Sequence, residues 1–473
     1  MSNFAAKNCN MTPILSSSDT ICAPATAQGG AIAVVRISGP EAIAAAEALF
    51  SRKLAEAPSH KALYGELQND AGESLDDVVL TLFRAPHSYT GEDSVEISTH
   101  GSSYIVGETL RLLQQHGCRM AEPGEFTQRA FLNGRMDLSQ AEAVADVIAS
   151  TNAATHRLAM SQMRGGITRQ LAALRDQLLT LTSLLELELD FSDHEELEFA
   201  DRTQLSELTE QLLDHVGRLA DSFRAGQAIK NGIPVAIIGA PNVGKSTLLN
   251  ALLHDERAIV SDIQGTTRDI IEDTMIIDGH TFRFIDTAGI RHTDDTIERL
   301  GIERSHQAAE RAQIIIILTE PAVSYPALSP RDEQVVIRVM NKTDLSQASV
   351  APTAEACCAT ATSLAGHSDQ IIGISAKNGV GLDSLRQRLT AEAARLTATD
   401  ADLIVTNARH HAALCAARES LERVAQALPM QFPADLIAQD LREVLFHLAE
   451  ITGSEITSDE VLGNIFAHFC IGK

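Results

Sequence analysis

Eight consecutive residues, Gly239-Ala240-Pro241-Asn242-Val243-Gly244-Lys245-Ser246, have the make-up of a phosphate-binding loop. Its glycines let backbone N–H groups approach phosphate oxygens. Lys245 neutralises β- and γ-phosphate charge, and the Ser246 hydroxyl suits Mg²⁺, with Val243, Gly244 and Thr247 beside them. Such a loop alone arises by chance, but here three further elements follow in order. Asp286-Thr287-Ala288-Gly289 comes 41 residues after Lys245, where Asp286 can hold Mg²⁺ through water and the Gly289 amide can meet a γ-phosphate. Asn341-Lys342-Thr343-Asp344 offers a carboxylate, on Asp344, that accepts guanine N1–H and N2–H, which adenine does not supply. Ser375-Ala376-Lys377 then backs the base. The ligand read from these four elements is GTP with Mg²⁺.

Between the loop and Asp286 lies Ser261-Asp262-Ile263-Gln264-Gly265-Thr266-Thr267-Arg268-Asp269, a switch-like stretch in which Thr267 either completes the Mg²⁺ shell or is a turn residue. Many GTPases orient the attacking water with a glutamine just after Asp-x-x-Gly. That position is Ile290 here, so another polar group must act; Glu298 is the candidate, against the plainer reading of a surface glutamate. Asn242 offers a side-chain carbonyl that can either bind a monovalent cation, supplying the charge an arginine finger would give, or make a loop hydrogen bond. The chain ends Cys470-Ile471-Gly472-Lys473, a thiol and an ammonium group beside the terminus. Cys470 is either a reactive thiolate, which needs a lowered pKa and access, or a small, partly buried thiol near Phe466 and Phe469.

These residues need elements to hold them. From Gly232 to about Leu389, apolar strands at 235–238, 281–285, 314–318, 335–340 and 371–374 alternate with helices, as in a doubly wound, mostly parallel sheet. Strands at 31–38, 78–83 and 94–98, with helices at 40–50 and 105–116, make residues 19 to about 130 a compact α+β region. Leucines at 171, 174, 178, 181 and 185, and the series Leu205, Leu208, Leu212, Val216, Leu219, recur at helical spacing. Two more stripes follow: Leu414, Leu421, Val424, Leu428, then Leu436, Ile437, Leu441, Val444, Leu445, Leu448. Neither helical stretch is self-sufficient, so one helical domain with the βα region inserted in it is expected. The acidic stretch 186–198 reads as a solvated helix end and loop, with a partner-docking surface as the alternative, and residues 347–367 as a surface insertion.

A chain of 473 residues allows two to four domains. It has no run of 18 apolar residues and no basic-then-apolar start, so neither a membrane helix nor a secretory signal is expected. The seven cysteines (9, 22, 118, 357, 358, 415, 470) lack C-x-x-C spacing and read as reduced thiols of a cytoplasmic protein without zinc. A net charge of −25 argues against a strong grip on RNA by this chain alone.

The loop, G-T-T-R-D, D-T-A-G, N-K-x-D and S-A-K together resemble the TrmE/Era-type GTPase family. Three stretches narrow the resemblance to its tRNA-modifying branch: Asp19-Thr20-Ile21 with Ala31–Pro40, Glu122–Ala143 (Glu-Pro-Gly-Glu-Phe-Thr-Gln-Arg-Ala-Phe-Leu-Asn-Gly-Arg at its start), and Phe469–Lys473. The resemblance runs from about residue 19 to 473. It implies a multidomain chain: an N-terminal α+β folate-binding and dimerisation domain at 1–130, an all-α helical domain at 131–230 and 391–473, and an inserted α/β Ras-like P-loop G domain at 231–390. It implies Asn242, Ser261, Ile263 and Thr266 as K⁺ ligands and Glu298 as the catalytic glutamate. Arg36, Glu96, Arg135 and Lys473 fall on a formyl-tetrahydrofolate site, where cations suit the glutamate tail and a carboxylate the pterin N–H donors; surface ion pairs and a strand-face charge are the plainer readings. A homodimer working with an MnmG-type flavoprotein, which carries FAD, in a heterotetramer on tRNA is implied too. Two departures stand out: Ala27-Gln28-Gly29-Gly30 replaces Gly-Arg-Gly-Gly, and Thr319-Glu320 stands where an aspartate is usual. The alternatives are an Era/Der-like regulatory switch in ribosome assembly and a folate module whose GTPase gates a partner. The first favours a basic tail, whereas residues 401–473 hold ten acidic and five basic residues.

Overall fold

Strand β11, Ile314–Thr319, is apolar along nearly its whole length, as a strand covered on both faces must be. In the computed structural model Ile314, Ile316 and Leu318 enter one core and Ile315 and Ile317 another, on opposite faces. The structure describes residues 19–190, 202–253, 259–260, 273–285, 307–321, 330–331, 334–345, 371–398, 403–430, 432–453 and 472. They fall into two compact units, residues 1–149, 159–209 and 419–473 in one, and 150–158 and 210–418 in the other.

The second unit is built on the sheet that contains β11. Its strands are β7 (Ile233–Ile238), β8 (Ile259–Val260), β9 (Asp273–Ile277), β10 (His280–Phe284), β11, β12 (Val335–Met340) and β13 (Ile372–Gly373). Their spatial order is β13-β12-β11-β7-β10-β9-β8. The first five run parallel, while β9 returns antiparallel to β10, and β8 to β9. The mostly parallel α/β sheet expected from sequence is therefore present. The chain leaves β7 to one side of the sheet and later returns to its other side at β11. That reversal opens a crevice at the carboxyl ends of β7 and β11, the place where open α/β sheets bind ligands. Helix Lys245–Leu253 starts there and buries Leu248, Leu249 and Leu252 on the sheet.

The first unit holds a six-stranded sheet in the order β3-β4-β5-β2-β1-β6. Its strands are β1 (Thr20–Pro24), β2 (Ile32–Ser38), β3 (Ala62–Gln68), β4 (Ser74–Phe83), β5 (Ser94–His100) and β6 (Cys118–Met120). All pairs are antiparallel except β1 with β6. Alternate residues Val35 and Ile37, Val95 and Ile97, and Val78, Leu80 and Leu82 enter a core shared with helices Ala42–Leu49 and Ser103–Gln115. The period of two then sends Val34 and Arg36 of β2, and Glu96 and Ser98 of β5, to the opposite face.

The same unit contains the helix pair Gly166–Asp190 and Ala434–Thr452, which pack together. Leu171, Leu174, Leu178 and Leu181 are buried on the first, and Ile437, Leu441, Val444 and Leu448 on the second, as their spacing requires. Leu436 departs from the expected stripe. It is 50% exposed, because the stripe is carried by its neighbour Ile437 and adjacent helical positions point about 100° apart. The cysteines described, 22, 118 and 415, are free thiols. The chain is thus multidomain, with an N-terminal α+β region, helical segments and an α/β P-loop region. Among the described residues no helix is long and apolar enough to cross a membrane.

Candidate functional site

The phosphate-binding loop leaves β7 at Gly239 and ends where helix Lys245–Leu253 begins. Asn242 adopts φ +62° and Gly244 φ +99°, a kinked path that aims backbone amides inward. Gly244 is required by contact as well as conformation: a Cβ there would lie 2.3 Å from Asn341 Nδ2. The Lys245 ammonium donates to the Gly239 and Ala240 carbonyls at 2.7 and 2.9 Å. Burial lowers its pKa, and among the described residues no carboxylate pairs with it. A half-buried cation held only by carbonyls at the start of a helix is set up for an anionic ligand.

Asn341 is the keystone of the base side. Its Nδ2 donates to the Val243 carbonyl at 2.9 Å and its Oδ1 accepts the Ala376 amide at 3.0 Å. One buried side chain thus joins the phosphate loop to the Ser375-Ala376-Lys377 turn. Thr343 adds two bonds to the Ile374 carbonyl, from its amide at 3.2 Å and its hydroxyl at 3.0 Å. Ser375 Oγ, on a residue only 1% exposed, has no hydrogen-bond partner among the described residues, so it has capacity for a group arriving at the base position. Asp344 and Lys377 are exposed, as residues that meet a base edge must be before it arrives. The donor set fits a guanine nucleotide. Ser246 opens the helix in place to meet a cation beside the phosphates.

The second cluster lies in the other unit, on the face of the six-stranded sheet opposite the core shared with helices Ala42–Leu49 and Ser103–Gln115. Arg36 and Glu96 are direct cross-strand partners. Arg36 Nε and Nη2 both donate to Glu96 Oε1, at 3.0 and 2.8 Å. Its Nη1 donates to the Gly472 carbonyl at 3.2 Å, so the tail reaches this pair. The guanidinium lies 5.3 Å from the ring centre of Tyr89 and 5.7 Å from that of Phe126, within cation–π range. Tyr89 is fixed by a 2.8 Å bond between its hydroxyl and that of Thr127, and burial raises its pKa. Arg135 sits against the same loop: a Cβ on Gly91 would lie 3.2 Å from Arg135 Cγ. Phe126 is fully buried, so it backs Arg36 from within the core, while the cation, the carboxylate and the partly exposed Tyr89 suit a flat heteroaromatic ligand bearing N–H donors and carboxylates.

Of the residues singled out by sequence, the structure brings Asn242 to Ser246 together with Asn341 to Asp344 and Ser375 to Lys377, and Arg36 together with Glu96. Glu298, Cys470, Lys473, residues 261–267 and residues 286–289 lie outside the described residues, as does the 347–367 stretch. Sequence reasoning passed over Tyr89 and Phe126. Phe126 belongs to one of the stretches that carried the resemblance, and that was the available signal. Among the described residues no three His, Cys, Asp or Glu side chains group as a metal centre.

Comparison with known proteins bears on both clusters. A family model described as the MnmE helical domain matches residues 138–470, and one described as the GTP-binding protein TrmE N-terminus matches residues 20–135. The tRNA modification GTPase MnmE of Parabacteroides distasonis is 53% identical over 468 residues, covering 96% of this chain and 100% of its own. Its counterpart in Bacteroides thetaiotaomicron is 51% identical, with 96% and 99% covered. That of Flavobacterium johnsoniae is 46% identical, with the same coverage. Among solved structures, Era in complex with MgGDPNP and 16S ribosomal RNA shares 28% identity over 39% of this chain and 65% of that chain, at a TM-score of 0.23. The G domain of the T. maritima FeoB iron transporter shares 20% identity over 34% and 98%, at a TM-score of 0.20.

Proposed function

Because this chain belongs to the tRNA modification GTPase MnmE family, we propose that it hydrolyses GTP to drive modification of carbon 5 of the wobble uridine in certain tRNAs. The observation that carries the GTPase half is Asn341, which ties the phosphate loop to the base-backing turn through Val243 and Ala376. The full-length relatives set aside the ribosome-assembly alternative. The finer reading extends the family assignment. Mg²⁺ is held by Ser246 and Thr267, and K⁺ by Asn242 with Ser261, Ile263 and Thr266; K⁺ supplies positive charge to the transferring phosphate. Glu298 orients the water in place of the glutamine that Ile290 displaces. A formyl-tetrahydrofolate binds at Arg36, Glu96, Arg135 and Lys473, and supplies the one-carbon unit. The pairing of Arg36 with Glu96 between Tyr89 and Phe126 supports this assignment. Cys470 is a candidate catalytic thiol.

In this reading the domains run 1–130, 131–230, 231–390 and 391–473, the middle G domain inserted in the helical one. The chain works in the cytoplasm as a homodimer, in a heterotetramer with an MnmG-type flavoprotein that brings FAD and offsets this chain's net charge of −25 toward tRNA. The test is reconstitution: the chain, an MnmG-type flavoprotein, GTP, a formyl-tetrahydrofolate, tRNA and K⁺. Aminomethylated or carboxymethylaminomethylated wobble uridine is expected in K⁺ and much less in Na⁺. GTP turnover without modified uridine in either salt would overturn the tRNA half of the proposal.

A further inference from the structure

Glu320 follows directly on β11 and meets the base-recognition turn at Lys342. Its Oε2 accepts from Lys342 Nζ at 2.5 Å. The same ammonium donates to the Asn242 carbonyl of the phosphate loop at 3.0 Å. Lys342 is therefore a bridge with one foot on the end of β11 and one on the loop. Its own backbone is left-handed, φ +60°, and so is that of Asn242, φ +62°. Neither residue is glycine, so both conformations persist only where neighbours hold them. Asn341 holds Val243 through the adjacent carbonyl. Two consecutive residues of the base-recognition turn thus grip two consecutive residues of the phosphate loop.

Lysine is a poor clamp alone, because its flexible four-carbon stem loses much freedom for each bond it makes. A carboxylate on the far side of the ammonium changes this: it fixes the head of the side chain between an anion and a carbonyl. We propose that Glu320 is a positioning residue of the guanine-nucleotide site, holding Lys342 on the Asn242 carbonyl and so slowing nucleotide release. The inference rests on the GTP reading of the site. Glu320 touches no nucleotide; it acts through Lys342 on the path of the loop that surrounds the phosphates. The pair is one-third exposed on each side, so it is screened by salt where a purely packed contact is not.

The experiment follows release of a fluorescent GDP analogue from the full chain by chase with unlabelled GDP, in 50 and 500 mM KCl, for wild type, Glu320→Gln and Glu320→Asp. Glu320→Gln keeps the shape and removes the charge. At low salt it is expected to release the analogue about two- to fivefold faster than wild type, with an unchanged association rate. The salt-induced acceleration seen in wild type should be much smaller in Glu320→Gln, which a merely structural role would not produce. Glu320→Asp, keeping the carboxylate, should fall between the two. Equal release and equal salt response in wild type and Glu320→Gln overturn the inference. A wild type that binds no guanine nucleotide overturns the reading of the site, and this inference with it.

Discussion

A methyl group at position 244 has nowhere to go. It would stand 2.3 Å from Asn341 Nδ2, on a backbone at φ +99° that L-residues avoid. Asn341 cannot retreat without giving up the Val243 carbonyl or the Ala376 amide, both in a buried setting. The strained backbone and one lost buried bond together amount to about 2–4 kcal/mol. Gly244→Ala is therefore expected to weaken GTP binding by at least about thirtyfold and to lower the thermal midpoint. Fluorescent-nucleotide titration with a thermal scan checks it, and an unchanged Kd refutes the geometry. This residue was legible because its chemistry is local: glycine, lysine and serine at fixed spacing mean the same thing wherever they occur. Tyr89 and Phe126 were not. Phe126 sits in a stretch that carried the resemblance, but neither residue's own chemistry points to a ligand; they matter because Arg36 lies over their rings, and that depends on tertiary packing.

Helix Glu125–Leu132 shows the same contrast one level up. It follows Gly124 at φ +71°, and Glu125 caps its own entry by accepting the Glu122 amide at 2.9 Å. Glu125 also takes two bonds from Arg119 on β6, at 3.1 and 2.6 Å, and one from Arg129 at 3.0 Å. Arg129 continues to Asp19 and Glu92. Burial works to raise the Glu125 pKa, but the guanidinium of Arg119, the Glu122 amide and Arg129 outweigh it and hold the carboxyl below its ordinary value. A depressed carboxyl contributes stability above its unfolded pKa, about 4.3, and loses it as pH falls through the lower folded value. Glu125→Gln takes a carboxylate charge from the buried Arg129 guanidinium and from the more exposed one of Arg119, and should destabilise this region by about 3 kcal/mol at pH 7. The gap to wild type should close below about pH 4. Hydrogen exchange localised to β1 and this helix measures it; a gap independent of pH sinks the account. Strands β11 and β12 are legible nearly to the residue, since they are runs rich in Ile and Val at regular βα spacing. Strands β1, β3, β6, β8 and β9 are not, because short or mixed strands are made by their partners rather than by their own sequence.

Across the whole molecule, the feature that sequence could point to but not explain is the meeting of its two ends. Arg36 and Gly472 stand 436 residues apart and share a hydrogen bond. Gly472 has φ +91°, and a Cβ on it would lie 2.1 Å from the Pro24 carbonyl oxygen at the end of β1. The approach therefore works only with glycine there, which gives the penultimate residue of the terminal motif a physical reason independent of any chemistry at Cys470. If the folate site proposed at Arg36 is completed by Gly472, Gly472→Ala should push that residue off the Pro24 carbonyl and remove its own carbonyl from Arg36. Loss of this bond to a charged group is expected to weaken binding of a formyl-tetrahydrofolate about tenfold or more. The nucleotide site lies in the other compact unit, so GTP affinity should be unchanged. Calorimetric titration of both ligands against Gly472→Ala and wild type separates the outcomes. Weakened folate binding with normal GTP binding supports a tail-completed site. Unaltered folate binding would mean that Gly472 meets the end of β1 for packing alone, and that Arg36 and Glu96 recognise their ligand without it.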